Sequence, residues 1–381
     1  MLGRVYRIIT SLELTVALLA LGLALVFWGT LAQVHLGLYR AQNEFFRSFF
    51  VYWSPAGSDL RIPIFPAGYL IGGLLLVNLF AAHLRYYQPG QKKYGIVLIH
   101  LGVVLLLLGQ LLTDVLSVES QMHLRNGDTK NYSEASSRFE LAVVDTTDAD
   151  ADKVVAIPAS RLFQRGDIGH AEMPFTVRVH TAYANSLLAD KPSAGYTEVQ
   201  ATAGFGAGLW WRSRPHETEM DKRDMPSAIV ELLAPQGSLG AWLVSAFITR
   251  PQEFRHNGRR YQLTLRPVRH YKPYSIHLLE FRHDRYPGTE IPKNFSSRIR
   301  LQRPDTGEER EVLIYMNNPL RYAGETYYQA SFDKDDQGTV LQVVRNPGWL
   351  TPYCSCVLVG AGMVVQFLTH LCRFAAKRKA P

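Results

Sequence analysis

Three histidines stand where apolar runs of this sequence end or begin. His83 closes one run, in Asn78-Leu-Phe-Ala-Ala-His83, His100 opens the next, in Ile99-His-Leu-Gly102, and His370 lies near the end of the last. A neutral imidazole offers one ring-nitrogen lone pair, and histidine is a common axial ligand of haem iron. Ionisable residues inside an apolar span are functional candidates by default. The plainer reading is a ring lying near a helix end, where it reaches the headgroups at little cost. Glu13, close to the start of the first apolar run, suits that plainer reading and snorkels to the interface.

The elements that carry these residues are four apolar stretches, Leu12 to Leu31, Phe65 to Tyr86, Tyr94 to Leu112 and Tyr353 to Cys372. Each approaches the roughly 20 helical residues needed to cross about 30 Å of hydrocarbon. Thr30-Leu31-Ala32 loosely imitates a signal-peptide cleavage site. The apolar core before it exceeds the roughly 7–15 residues of such a peptide, so the first run reads as an uncleaved helix.

Charge sets the orientation. Arg4, Arg7, Arg85, Lys92, Lys93, Arg373, Lys377, Arg378 and Lys379 flank the runs on one side, with no acid among them. By the positive-inside rule these flanks, and both termini, are cytoplasmic. Of 41 basic residues they leave 32, matched by the 32 acidic residues that remain of 33 when Glu13 is set aside. The net charge of +8 thus records membrane orientation and calls for no nucleic-acid partner. The connector Gln88 to Lys93 is then cytoplasmic. The rise of a helix puts His83 about 5 Å and His100 about 9 Å inside that boundary, on antiparallel neighbours. His370 shares their leaflet.

The fold class expected is a membrane protein with four transmembrane α-helices, three N-terminal and one C-terminal, plus a large extracytoplasmic all-β domain. Its parts are 1–117, 118–350 and 351–381. In the 34–64 loop, Ala41-Gln-Asn-Glu-Phe-Phe-Arg-Ser-Phe-Phe-Val-Tyr-Trp53 has aromatic residues at a spacing that suits a helix lying in the outer interface. It serves as an aromatic anchor, or as a platform for a flat apolar ligand or a partner helix. In the outer block, alternation in Phe175 to Val179 and Tyr261 to Arg266 reads as strand. Asn257-Gly258, Pro287-Gly288, Asp305-Thr-Gly307 and Ala323-Gly324 supply the turns of an antiparallel sandwich or barrel-like domain. Ser193 to Met225 reads as a long loop.

Motifs of hydrolases, zinc proteases, nucleotide-binding loops and dinucleotide folds do not occur. Three cysteines build no disulfide framework. Cys354 and Cys356 form C-S-C at the mouth of the last run, a spacing short of the C-x-x-C dithiol pattern, so membrane packing accounts for them better than redox chemistry. With no C-x-x-C-H, the chain is not itself a c-type cytochrome.

In order along the chain, further motifs accumulate: Phe27-Trp-Gly-Thr-Leu-Ala-Gln33 in the first run, Tyr286-Pro-Gly-Thr289, Met316-Asn-Asn-Pro-Leu-Arg-Tyr-Ala-Gly324, Tyr327-Tyr-Gln-Ala-Ser331 and Asn346-Pro-Gly348. Together with the two histidine motifs, they resemble the ResB (CcsB) family, a component of System II cytochrome c biogenesis. The resemblance covers nearly the whole chain except the Ser193 to Met225 stretch. It implies a partner of the ResC/CcsA type, bearing a W-W-D haem motif that none of the six tryptophans here forms. It also implies apocytochrome c as the recipient, a thioredoxin-like thiol reductant as a further partner, and haem b held transiently and shared between subunits. In fused relatives a histidine in this part of the membrane domain contributes to the transmembrane haem site. His83 is the match to it, His100 the second choice, and His100, His370 or a residue of the partner is the other ligand. The chain is then part of a cytochrome c synthase complex in the bacterial inner membrane and not an enzyme alone.

Three functions separate from here. The chain is a haem-channel subunit, a scaffold that stabilises its partner and holds apocytochrome on the β domain, or a tethered extracytoplasmic sensor. Four spans without a cytoplasmic domain to receive a signal count against the last. The orientation is testable directly. A reporter fused after Pro381 is expected to be active in the cytoplasm, and one inserted near Gly206 to be active outside. The opposite pattern would overturn the four-span topology.

Overall fold

The computed structural model describes residues 2–55, 60–86, 94–164, 166–217, 222–289 and 292–379. The Gln88 to Lys93 connector lies outside them. The chain divides into two compact units, one of residues 1–118 and 345–381 with 218–220, the other of residues 119–217 and 221–344.

The first unit is helical. A short α1 (Leu2–Ile9), not apparent from the sequence pattern, precedes α2 (Leu12–Leu36), and Ser11 caps α2 by accepting the Leu14 amide at 3.1 Å. A single turn, α3 (Leu38–Ala41), follows Gly37, whose φ of 75° ends α2. Then come α4 (Gly68–Tyr86) and α5 (Tyr94–Leu116); α6 (Ala159–Leu162) is one turn within the second unit, and α7 (Thr351–Lys379) closes the first. Four of these, α2, α4, α5 and α7, are long and apolar enough to cross a membrane.

Close approach of α5 and α7 has a simple cause. Gly95, Gly102 and Gly109 are buried at a seven-residue spacing, and a Cβ on them would run into Gly362 and Gln366, Val359 and Ser355, and Thr351 respectively. Small residues let the backbones pack where lipid gives no hydrophobic drive for association.

The 41–53 segment is not an interfacial helix. A π-helical turn, Gln42–Phe46, carries Phe45 and Phe46, and the chain then forms an antiparallel hairpin of Phe50–Trp53 with Ile62–Pro66. Aromatic and β-branched residues favour the strand, and Pro63 and Pro66 sit on an edge that needs no donor. Phe45 is buried and meets the Trp28 ring edge-on at 5.4 Å, and Phe65 meets it at 5.8 Å, so the turn and hairpin pack on α2. Phe49, Tyr52 and Trp53 stay exposed.

The second unit is almost entirely antiparallel β, as the alternation predicts. Its spine is one strand of 27 residues, Arg259–Arg285. It pairs with Thr129–Asp145 along much of its length, with Gln252–His256 near its start and with Pro292–Arg303 near its end. All four expected turns lie at or beside strand ends, and Asn257-Gly258 (φ 48° and 76°) and Ala323-Gly324 (φ 50° and 79°) take the left-handed pair of a two-residue hairpin.

This spine serves two cores. Tyr261, Leu263 and Leu265 face a cluster with Phe139, Leu141, Val143, Val177, Val179, Val230 and Leu232. Register shifts at Pro267/Arg269 and Tyr271/Ile276 intervene, after which Tyr274, Ile276 and Leu278 face a second cluster with Met122, Leu124, Ile299, Leu301 and Tyr327. The inward set changes from odd to even residues because a strand's side chains alternate and a bulge slips them by one.

Buried ion pairs lie on the spine between these apolar sets. Arg266 bonds Glu140 at 3.0 Å, and Lys272, its side chain only 3% exposed, contacts Glu325 at 2.7 Å. Tyr274 and Tyr327 donate to the same carboxylate at 2.8 and 2.9 Å. Burial alone would raise the Glu325 pKa, but the bonds from Lys272 and the two tyrosines hold it below the ordinary carboxylate value. Burial drives both tyrosine hydroxyls upward, so they remain donors.

Ser193 to Met225 is less loop-like than its composition suggests. Thr197–Glu198 and Trp210–Ser213 join Ser186–Ala189 in a three-stranded sheet around buried Trp211.

Two outcomes are expected. Residues 119–344 expressed alone are expected to be soluble with a β-type circular dichroism spectrum; a dominant helical signal would refute an independent β unit. In that unit Lys272→Ala is expected to cost about 3–5 kcal/mol, because it leaves a buried carboxylate without its cation. The depressed Glu325 pKa makes its stabilising contribution fully present above the unfolded value and lost as pH falls through the folded one. Lys272→Ala should therefore flatten the acid side of the stability profile measured by thermal melts, and an unchanged profile would show the pair to be inert.

Candidate functional site

The spans bring their polar side chains together in protein and leave few of them to lipid. At one end of α4, Tyr69 donates to Asp114 Oδ2 of α5 at 2.5 Å, and Arg47 Nε contacts Asp114 Oδ1 at 2.8 Å. At the other end His83 of α4 meets His100 of α5. Contacts of first residues with last at both ends fix α4 and α5 as antiparallel neighbours.

The two imidazoles approach through Nδ1, 3.4 Å apart, with the rings perpendicular and their centroids 5.5 Å apart. Both rings are half-buried. A metal–imidazole bond is about 2.0–2.1 Å, so two nitrogens on opposite sides of one ion would stand about 4 Å apart. The facing Nδ1 atoms are therefore too close to bracket an iron between them. What the contact does provide is a pairing of the two rings through Nδ1. Two neutral rings meeting at Nδ1 form one long N–H···N bond. The donor ring then keeps its proton on Nδ1 and has a bare Nε2, while the acceptor ring carries its proton on Nε2. The pair presents one Nε2 lone pair to a ligand, oriented by the other ring as a hydrogen-bonded metal ligand usually is.

A second polar group holds α4 in place. Asn78 is buried, accepts from Thr15 Oγ1 at 2.6 Å and donates to the carbonyl oxygens of Ile9 and Ser11 at 2.7 and 3.0 Å. It satisfies backbone groups freed where α1 breaks from α2, a requirement that hydrocarbon makes severe. Arg85 reaches the Thr10 hydroxyl at the same break, and its guanidinium lies 5.9 Å from the Tyr6 ring centroid. Glu13 is exposed in the first turn of α2, where the helix dipole favours an anion.

His370 is not brought to the pair. It is exposed on α7 and bonded to Gln366 at 2.8 Å. The glycine contacts set Gly95 beside Gln366, so His370 lies one turn past the described start of α5. Cys354 and Cys356 are both exposed on α7, and residues two apart on a helix point away from one another, which removes the redox-pair reading. Asn78 is a residue whose part sequence reasoning missed, although an amide within an apolar run was the available signal. Asp114, at the edge of its run, gave a weaker one.

Four membrane-length helices, three before and one after a large β unit, define a multi-span membrane protein with a β domain inserted between its last two spans. Within that domain, residues 244–340 match the ResB-like family. Protein NrfI of Wolinella succinogenes is 34% identical over 102 residues, 27% of this chain and 11% of that protein. The matched stretch is thus about a tenth of the length of the relative. The family match includes Lys272, Glu325 and Tyr327 and lies apart from the membrane histidines.

Proposed function

We propose that this chain is a cytochrome c biogenesis component that works with a ResC/CcsA-type subunit to pass haem outward across the cytoplasmic membrane and present it for covalent attachment to apocytochrome c. The ResB-like match supports the biogenesis role. The His83–His100 contact supports the haem reading: two imidazoles on adjacent helices, with their Nδ1 atoms 3.4 Å apart. With the basic flanks inside, the pair lies in the cytoplasmic leaflet, where haem made in the cytosol would enter.

In this reading haem is cargo and His83 is its ligand. A proton on His83 Nδ1, donated to His100, leaves His83 Nε2 bare, so His100 positions the ligand and does not compete with it. A second ligand, where there is one, would come from the partner subunit. Thiol attachment itself is the work of the complex and its reductant. The scaffold reading draws on the family match lying wholly within the β domain.

Co-purification with the partner followed by an absorbance spectrum separates the two. His83→Ala is expected to lower retained haem and holocytochrome yield several-fold at near-normal protein level. His83→Gly is expected to recover part of both with added imidazole, which fills the vacated space. His100→Ala should have the smaller effect, and His100→Gln, which keeps a hydrogen-bonding partner for Nδ1, should be milder still. Unchanged haem content and cytochrome yield in His83→Ala would discard the ligand role and leave the scaffold reading.

A further inference from the structure

A groove of about 600 Å³ lies on the β unit, away from the two main cores. Thr181, Tyr183, Ile229 and Trp211 form its floor, with Thr197, Glu198 and Gln200 along one wall. Trp211 is buried in a small cluster of its own with Val199 and Leu243, and the Tyr183 and Trp211 rings lie 4.5 Å apart, so the floor is rigid.

Two features give this groove a use. Among the described residues the wall is an open sheet edge as far as Gln200, beyond which Thr202 and Ala203 donate their amides to Ala241. Thr197–Glu198 is the last strand of its sheet, paired on one side with Trp210–Trp211. Val199 donates its amide to Leu209 at 2.9 Å, so the alternation of an extended chain turns the amides of Glu198 and Gln200 to the opposite side. The floor strand is open as well. Thr176–Tyr183 pairs with Gly166–Ile168 only through Val177–Val179, and among the described residues no strand continues that pairing along His180–Tyr183. His180 is the extra residue of a bulge, since Ile229 faces Thr181 and Val230 faces Val179. A bulge here keeps Thr181 and Tyr183 on the groove face, and bulges commonly re-aim side chains beside binding sites.

We propose that this groove takes an extended polypeptide segment, which adds as a strand to the free edge at Glu198–Gln200 and rests its side chains on Tyr183 and Trp211. Main-chain pairing supplies affinity and the pockets between alternate side chains supply selection. The lining holds the Glu198 carboxylate and His180, whose Nε2 is bonded to Glu231 at 3.0 Å, and neither lysine nor arginine, so the segment is basic or neutral and not acidic. The inference stands apart from the membrane histidines and from haem.

The test uses the full chain in a neutral detergent and a fluorescein-labelled nine-residue peptide of alternating valine and threonine with three lysines, followed by fluorescence anisotropy. Saturable binding is expected. The same peptide N-methylated at alternate amides should bind at least tenfold more weakly, as strand addition requires, with the protein itself unaltered. Gln200→Pro removes one outward amide from the edge while leaving the Val199 bond, and should weaken binding comparably with an unchanged circular dichroism spectrum. Glu198→Lys should weaken the lysine peptide most at low salt. Absence of saturable binding, or equal affinity for the N-methylated peptide, would overturn the proposal.

Discussion

Hydrocarbon offers no hydrogen bonds, so each polar side chain within a span must find its partner in protein. In this molecule that constraint selects the contacts between helices. Asn78 satisfies the break between α1 and α2 and ties α4 to both. The Tyr69–Asp114 bond aligns one end of α4 with α5, and the His83–His100 bond aligns the other. Two such bonds, at opposite ends of one helix pair, determine its register more sharply than apolar packing does, since sliding either helix by a turn would break both. The α5–α7 contact needs no polar anchor, because glycines at a seven-residue interval already restrict how the two backbones interlock.

In the β unit the corresponding device is the long spine strand. Its two cores are filled by side chains of opposite parity, a change produced by register shifts at Pro267 and beyond. Proline has no amide to give a ladder, so a slip there leaves no donor unpaired. The polar residues that follow the slip are paired among themselves: Lys272 with Glu325, and Glu325 with two tyrosine hydroxyls. Such pairs add little stability over apolar residues of equal volume, but they penalise every register in which one partner is buried alone.

Much of this was legible in the sequence, and the exceptions share a cause. The four spans, the β character of the inserted unit and the turns at Asn257-Gly258 and Ala323-Gly324 follow from local patterns with strong physical preferences. Helix rise alone was enough to set both histidines toward the same end of the α4–α5 pair. Their contact through Nδ1 could not be read in that way, because it depends on the rotation of each helix about its own axis, which is set by Asn78 and Asp114 elsewhere on the pair. The 41–53 segment was misread for a similar reason. Its aromatic spacing suits a helix, but its partner strand Ile62–Pro66 lies beyond a gap, and pairing across that gap decided the outcome. In Ser193 to Met225, glycine and charge concealed short strands whose stability comes from Trp211 and Tyr183 and not from propensity.

On the proposed haem reading, the histidine pair limits what this chain does alone with an iron porphyrin. One hydrogen bond between two imidazoles leaves one unprotonated Nε2, and a single axial nitrogen holds iron less firmly than two. A carrier that must release its cargo gains from that weakness. If the opposing ligand comes from a partner, affinity is high only while the two subunits are joined and falls when either moves. Occupancy is then coupled to assembly without any change within the α4–α5 pair. On the proposed haem reading, the contact between His83 and His100 would orient the ligating ring before a haem arrived.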